Sequence, residues 1–190
     1  MRLPDLTPAE LSDEQRALRE QILGGPRGSG PQHFQLVHDD GSLTGPFGIM
    51  LHEPALGAPL QELGAALRYA TGLTDRVREL AILAVAAATG SAFEAYAHER
   101  VGRAVGLTDD ELAALADGSF SSADPQEVAA HDLCRHLLED GQLAAGADVD
   151  VLTTRLGPRA TTELVVLVGY YRTLAQLLDV FEVGAPTAGQ

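Results

Sequence analysis

Apolar residues along this chain recur at helical spacing, and the clearest pattern runs from Leu73 to Leu107. Thr74 is placed to cap a helix continuing to Thr89, Gly90 breaks it, and Ser91 opens a second helix reaching about Val105. Upstream, Thr7, Pro8 and the Ser12 to Gln15 segment punctuate the start of a helix of about three turns, with Leu18, Ile22 and Leu23 as its apolar face. Gly24 and Gly25 stop it. The glycine- and proline-rich stretch from Gly24 to Pro46 predicts a long loop around HFQLVHDD with room for a brief extended piece, and loops of that length are often functional. FGIMLHE predicts a short helix, and Ala55 to Ala70 another, with Leu56, Leu60, Leu63 and Leu67 at helical spacing.

Beyond Val105, Thr108 and Glu111 form a capping-box signature, and Asp124 followed by Pro125 starts a helix carrying His131, Cys134 and His136. A short helix is expected near Asp148 to Leu156, and a last one from Pro158 to about Phe181, containing LVVLV and GYYRTLAQLLDVF. A helix apolar on nearly every side belongs in the centre of an assembly, which here points to a homo-oligomer. With no alternating strand set and no clear repeat, the expected fold class is all-α, a bundle of roughly seven to nine helices. Residues 1–46 read as an N-terminal helix and long loop, 47–182 as the helical domain, and 183–190 as a flexible tail.

Composition narrows the function classes. A chain of 190 residues can bury a core without disulfides or metals. Cys134 is the only cysteine, so no CxxC redox pair and no cysteine-based zinc site can form, and a reducing, cytoplasmic setting is expected. The N-terminus has no apolar signal core, and the run Leu80 to Ala88 is too short to cross a bilayer, so no membrane partner is expected. A net charge of −14 opposes nucleic-acid binding. All 13 basic residues are arginine, which removes Schiff-base chemistry and the lysine of a P-loop. Abundant alanine and glycine, with no tryptophan, suit closely packed helices from a GC-rich bacterial genome.

The candidate chemistry sits in the clearest pattern. Glu94 and His98 are four residues apart, about 40° and about 6 Å along a helix, close enough to touch each other or share a ligand. A carboxylate beside an imidazole poises it for proton transfer near neutral pH. Ser91-x-x-Glu94 is also a capping-box pattern, in which Glu94 only satisfies the helix start, and spacing alone favours that cap, with His98 a packed or surface histidine. Glu79, Glu94 and His98 are residue types that bind zinc, iron or manganese, but nothing beyond the trio supports a metal and none is expected. His131 and His136, five apart, align poorly on one face and read as ordinary surface or core residues. Tyr170 and Tyr171 point to different sides of the last helix, so at most one reaches a pocket.

The segment LTDRVRELAILAVAAATGSAFEAYAHERVGRAVGLTDDEL resembles the core of the carboxymuconolactone decarboxylase and AhpD-like alkylhydroperoxidase superfamily. The resemblance implies an AhpD-like helical bundle assembling as a homotrimer or hexamer of trimers, and it spans about residues 43–181. In the hydroperoxidase branch, a glutamate on the first helix is followed by a CxxC pair on the second and a histidine four residues later. Glu79 falls at the glutamate, Ser91 and Glu94 at the cysteines and His98 at the histidine. The thiols needed for sulfenate and disulfide steps are absent. The decarboxylase branch lacks the pair too and keeps a Glu-x-x-x-His element. It needs no cofactor, because its lactone substrate accepts the electron pair left by CO₂.

By that resemblance His98 is the candidate acid, Glu94 or Glu79 its partner, and Arg78 or Arg172 a substrate clamp. Ser91, Phe47 of the Gly-Pro-Phe turn, and Tyr171 complete the expected substrate contacts. A small lactone or carbonyl acid is the expected substrate, and decarboxylation or isomerisation through an enolate the expected chemistry. The alternatives are a peroxidase relic without the CxxC pair, or a non-catalytic oligomeric binding protein with Glu94 as a cap.

Overall fold

The computed structural model describes residues 3–139 and 147–186. Among them the chain forms α1 (Asp13–Gly24), α2 (Pro26–Ser29), α3 (Pro46–Met50), α4 (Pro54–Tyr69), α5 (Asp75–Thr89), α6 (Ala92–Ala104), α7 (Asp109–Asp117), α8 (Pro125–Glu139) and α9 (Ala147–Val180). The β-pairing among these residues is an isolated bridge between Val37 and Leu43, so the fold is all-α. Residues 187–190 of the expected tail lie outside the described residues. No described helix is long and apolar enough to cross a membrane.

The chain divides into two compact units: residues up to Ala70 together with those from Gln176 onward, and Thr71–Ala175. In the first, Ser12 Oγ accepts from Gln15 N at 3.3 Å while Gln15 Oε1 accepts from Ser12 N at 2.9 Å, the reciprocal cap expected for α1. The expected loop contains the one-turn α2, begun by Pro26 at a first helical position. The bridge between Val37 and Leu43 is the brief extended piece. The expected leucine face of α4 is reversed in part: its buried side is Gly57, Gln61, Gly64 and Leu67, while Leu56 and Leu63 are exposed. The reason is close approach, because a Cβ at Gly57 would stand 2.4 Å from the Met50 carbonyl oxygen. Gly57 and Gly64 therefore share the inner side of α4 with Gln61 and Leu67.

The second unit is built around α5, which is buried continuously from Val77 to Ala86 and packs against α6, α7 and α8. Thr74 Oγ1 caps it by accepting from Val77 N at 3.2 Å, and Gly90 ends it in the left-handed region at φ 64°. Leu80, Leu83, Leu107, Leu112 and Leu115 form one apolar cluster, with Phe120 packed against it. Thr108 and Glu111 close the expected capping box on α7. In α9, Gly157 at φ 77° bends the chain just before Pro158, so the two helices expected there, near 148–156 and from 158 to about 181, run on from each other across a kink. Val165 and Val166 remain about two-fifths exposed, 41% and 39%. The single chain thus leaves part of the apolar surface of α9 uncovered.

A cross-helix clamp locks α5 to α7 and α8. Arg76 Nε donates to Glu127 Oε1 at 2.7 Å, and Arg76 Nη2 to Glu111 Oε1 at 2.8 Å. Ser122 Oγ also donates to Glu127, at 2.7 Å. The Arg76 hydrogen bonds hold both carboxyls below their ordinary range, and the paired guanidinium is held more firmly protonated. Unfolded, the same glutamates take up protons more readily than in the folded chain. The stabilisation is therefore complete above the unfolded carboxylate range, about pH 4.3, and fades as pH falls through the lowered folded values. Arg76→Met is expected to cost about 2–3 kcal/mol at neutral pH, measured by urea unfolding. The variant's stability should fall less steeply than the native chain's between about pH 5 and 3. Equal acid sensitivity would sink the assignment.

Candidate active site

Glu79 lies within the buried run of α5, while Glu94 and His98 occupy successive turns of α6. Helix, left-handed Gly90 turn and helix bring the three side chains together. His98 Nδ1 is 2.6 Å from Glu79 Oε2, and His98 Nε2 is 3.4 Å from Glu94 Oε2. All three are almost sealed from solvent, with exposures of 1% for Glu79, 3% for Glu94 and 6% for His98. With Glu79 as carboxylate the short bond has one sense, Nδ1–H donating, and this fixes the ring's tautomer and orientation. At 3.4 Å the Glu94 contact is too long for a strong hydrogen bond, so Nε2 is the less committed nitrogen. A proton moving at Nε2 has a carboxylate within reach, and burial strengthens every charge interaction in the site.

Tyr171 of α9 packs its ring against His98 in an edge-on arrangement, centroids 5.3 Å apart and planes at 89°. Tyr170 meets Tyr171 in the same manner at 5.1 Å. Of the two tyrosines, Tyr171 is the one whose ring meets the imidazole.

Ser91 occupies the N-cap position of α6 with no side-chain cap bond, and its buried Oγ has no hydrogen-bond partner among the described residues. The Ser91-x-x-Glu94 pattern therefore forms no capping box; Glu94 lies against His98 instead. Ser91 also lines a cleft of about 170 Å³ with Gly90, Ala95 and Glu99. The expected arginines go elsewhere in their bonding. Arg78 donates from Nη1 to Asp75 at 2.7 Å and from Nη2 to the Leu73 carbonyl at 3.2 Å, at the start of its own helix. Arg172 Nη1 donates to the Leu137 carbonyl at 3.4 Å. Phe47 belongs to the other compact unit, where it is buried and carries the Arg27 guanidinium 4.7 Å above its ring.

Cys134, on α8, is fully buried, and burial pushes its thiol up to about 12. A thiol so protonated is a poor nucleophile. A disulfide-exchange reagent should leave Cys134 untouched in the native chain and titrate one thiol after denaturation; rapid native labelling would contradict its burial. Among the described residues no group of three or more His, Cys, Asp or Glu side chains is arranged to hold a metal ion. Sequence reasoning passed over Arg76, Glu111 and Glu127 as a set, because pairs separated by 35 and 51 positions leave no local pattern.

Comparison with known proteins gives a family match and structural likenesses. The model of the carboxymuconolactone decarboxylase family matches residues 54–134, which contain Glu79, Ser91, Glu94 and His98. A solved structure of an alkylhydroperoxidase AhpD core, an uncharacterized peroxidase-related protein from Ralstonia eutropha JMP134, superposes with a TM-score of 0.76 at 17% identity, covering 97% of this chain and 92% of its own. The debrominase Bmp8 superposes with a TM-score of 0.70 at 12% identity, covering 97% of this chain and 91% of its own. No curated protein sequence matches the chain. Identities this low speak to fold alone. The family's pattern thus covers residues 54–134 of a chain whose all-helical fold is like that of the AhpD core.

Proposed function

We propose that this chain is a cofactor-independent acid–base enzyme acting on a small lactone or carbonyl acid, with His98 as the proton carrier and Glu79 and Glu94 as its partners. The observation that carries the reading is His98 held between two buried carboxylates, 2.6 Å from one and 3.4 Å from the other. A buried imidazole oriented on one nitrogen and loosely held on the other suits proton delivery to carbon.

In the decarboxylation that the family name describes, the bond from the substrate's ring carbon to its carboxylate breaks and CO₂ leaves. The electron pair stays on the lactone as a conjugated enolate, and a proton from His98 Nε2 adds to carbon. Water then returns a proton to His98. Glu79 keeps the ring aimed throughout, as second carboxylates do for catalytic histidines. Ser91, at the cleft one turn before Ala95, and Tyr171, against the imidazole, are the proposed substrate contacts.

The fold does not select the reaction, since a peroxidase-related protein and a debrominase share it. Against a thiol route stands Cys134, the only cysteine, buried and on another helix. The uncovered Val165 and Val166 support self-association. A screen of carboxylated lactones, carboxymuconolactone among them, for CO₂ release by the native chain tests the proposal. Release is expected; peroxide consumption with no turnover of any lactone would overturn it.

A further inference from the structure

The cleft at Ser91, about 170 Å³, lies between α5, α6 and α7, all within the Thr71–Ala175 unit. Leu83 and Ala86 of α5, Ala95 of α6, and Leu112 and Leu115 of α7 make its walls apolar, and the three leucines belong to the cluster that packs α5 against α7. An apolar cavity of about 150 Å³ holds benzene, so this cleft has room for a ring of five or six atoms.

Two polar groups decide what that ring carries. Among the described residues lining the cleft, Ser91 and Glu99 alone have polar side chains. Ser91 is only 8% exposed, and its backbone is fully used: its N–H donates to the Ala86 carbonyl and its carbonyl accepts from Ala95 N, both at 3.0 Å. Its Oγ has no partner among the described residues and does not cap α6. Buried hydroxyls are nearly always hydrogen-bonded, so one left over on a cleft wall calls for a partner from outside. A donating hydroxyl there is satisfied by a carbonyl oxygen.

Charge sets the rest. Glu99 is the charged group of the lining; Arg103, 3.5 Å from it, is held more closely by Asp109 at 2.8 Å. No cation lines the cleft among the described residues, and α6 already carries the Glu94 carboxylate in its first turn. An anionic group entering here would lose its water and gain no counter-charge, so an uncharged one is selected. Ser91, Glu94 and His98, at i, i+3 and i+7, share one row of α6, while Ser91, Ala95 and Glu99, at i, i+4 and i+8, share the next. Ser91 belongs to both rows, and Ala95 of the cleft is the i−3 neighbour of His98. We propose that this cleft seats the uncharged ring of the substrate, a five- or six-membered lactone, with Ser91 Oγ–H donating to its carbonyl oxygen; this rests on the acid–base reading of His98 and names the part of the substrate that is buried.

γ-Butyrolactone is a suitable probe, titrated into the full chain to about 50 mM and followed by ligand-observed NMR, because so small a ring binds in the millimolar range. Saturable binding is expected. Ser91→Ala should weaken it about 3- to 10-fold, the net worth of one hydrogen bond, and leave unchanged the binding of tetrahydrothiophene, a ring of the same size whose sulfur accepts only weakly. Circular dichroism and urea unfolding of Ser91→Ala should match the native chain, since Oγ bonds to nothing in it. Ala87→Leu, at an exposed lining position, should occupy the cleft and abolish binding of both rings. Binding needs no turnover: a chain that releases no CO₂ yet binds γ-butyrolactone through Ser91 would lose the acid–base reading and keep this site. Absence of saturable binding to the native chain, unchanged lactone affinity in Ser91→Ala, or lactone binding undiminished by Ala87→Leu would each overturn the proposal.

Discussion

His98→Gln is expected to lower turnover of the lactone substrate by about 10²- to 10⁴-fold, the range a positioned general acid contributes. Glutamine is chosen because its amide can still reach Glu79 by hydrogen bond, so the buried carboxylate is not left alone. The loss should fall on kcat more than on KM, since a proton delivered only in the transition state does not help bind the ground state. The helices should be undisturbed: His98 lies between two carboxylates and the Tyr171 ring, outside the leucine cluster that packs α5 against α7. Steady-state kinetics alongside circular dichroism separate the two effects. A variant folded like the native chain and turning over at the native rate would remove His98 from the mechanism.

Glu79→Gln should cost about 10- to 100-fold in kcat, the usual effect of removing a partner that orients a catalytic or ligating histidine. The 2.6 Å contact from Nδ1 to Oε2 is short and sealed, with Glu79 only 1% exposed, so this substitution removes the charge while its amide oxygen still accepts from Nδ1–H. Glu79→Leu goes further, because it leaves His98 Nδ1 buried without an acceptor. About 1–3 kcal/mol of stability should then be lost with activity. Glu94→Gln should do less than Glu79→Gln to ring orientation, given the longer 3.4 Å contact at Nε2, and its effect should appear in the pH profile of kcat. If Glu79→Leu unfolds at native denaturant concentration with full activity, the short contact contributes to neither.

Much of this architecture is legible in the sequence where local chemistry decides it. Thr74 and Gly90 bound α5 because a hydroxyl cap and a left-handed glycine act within a few residues, and Thr108 with Glu111 marks α7 for the same reason. The one-turn α2 is hidden inside a glycine- and proline-rich stretch that punctuates rather than patterns. The leucines of α4 mislead because the close approach of Gly57 to Met50 turns the glycine side of the helix inward, an effect of tertiary contact that periodicity cannot show. At the site, spacing places Glu94 and His98 on one face, and on its own it favours Glu94 as a helix cap over a catalytic pair. The contact with Glu79, 19 residues away, has no local signal, since only the folded α5–α6 pair brings that carboxylate to the ring. His131 reads as ordinary by spacing; its burial beside a cleft is likewise a product of packing between α5, α7 and α8.

In the proposed mechanism His98 handles the proton and no thiol takes part. Running the decarboxylation in D₂O and counting deuterium in the lactone product by mass spectrometry tests it most directly, with native, His98→Gln and Cys134→Ser chains side by side. One deuterium is expected on the carbon of the conjugated enolate that takes the proton, incorporated rapidly by the native and Cys134→Ser chains and at least about 100-fold more slowly by His98→Gln. Native-rate product from His98→Gln, or loss of turnover in a folded Cys134→Ser chain, would contradict it.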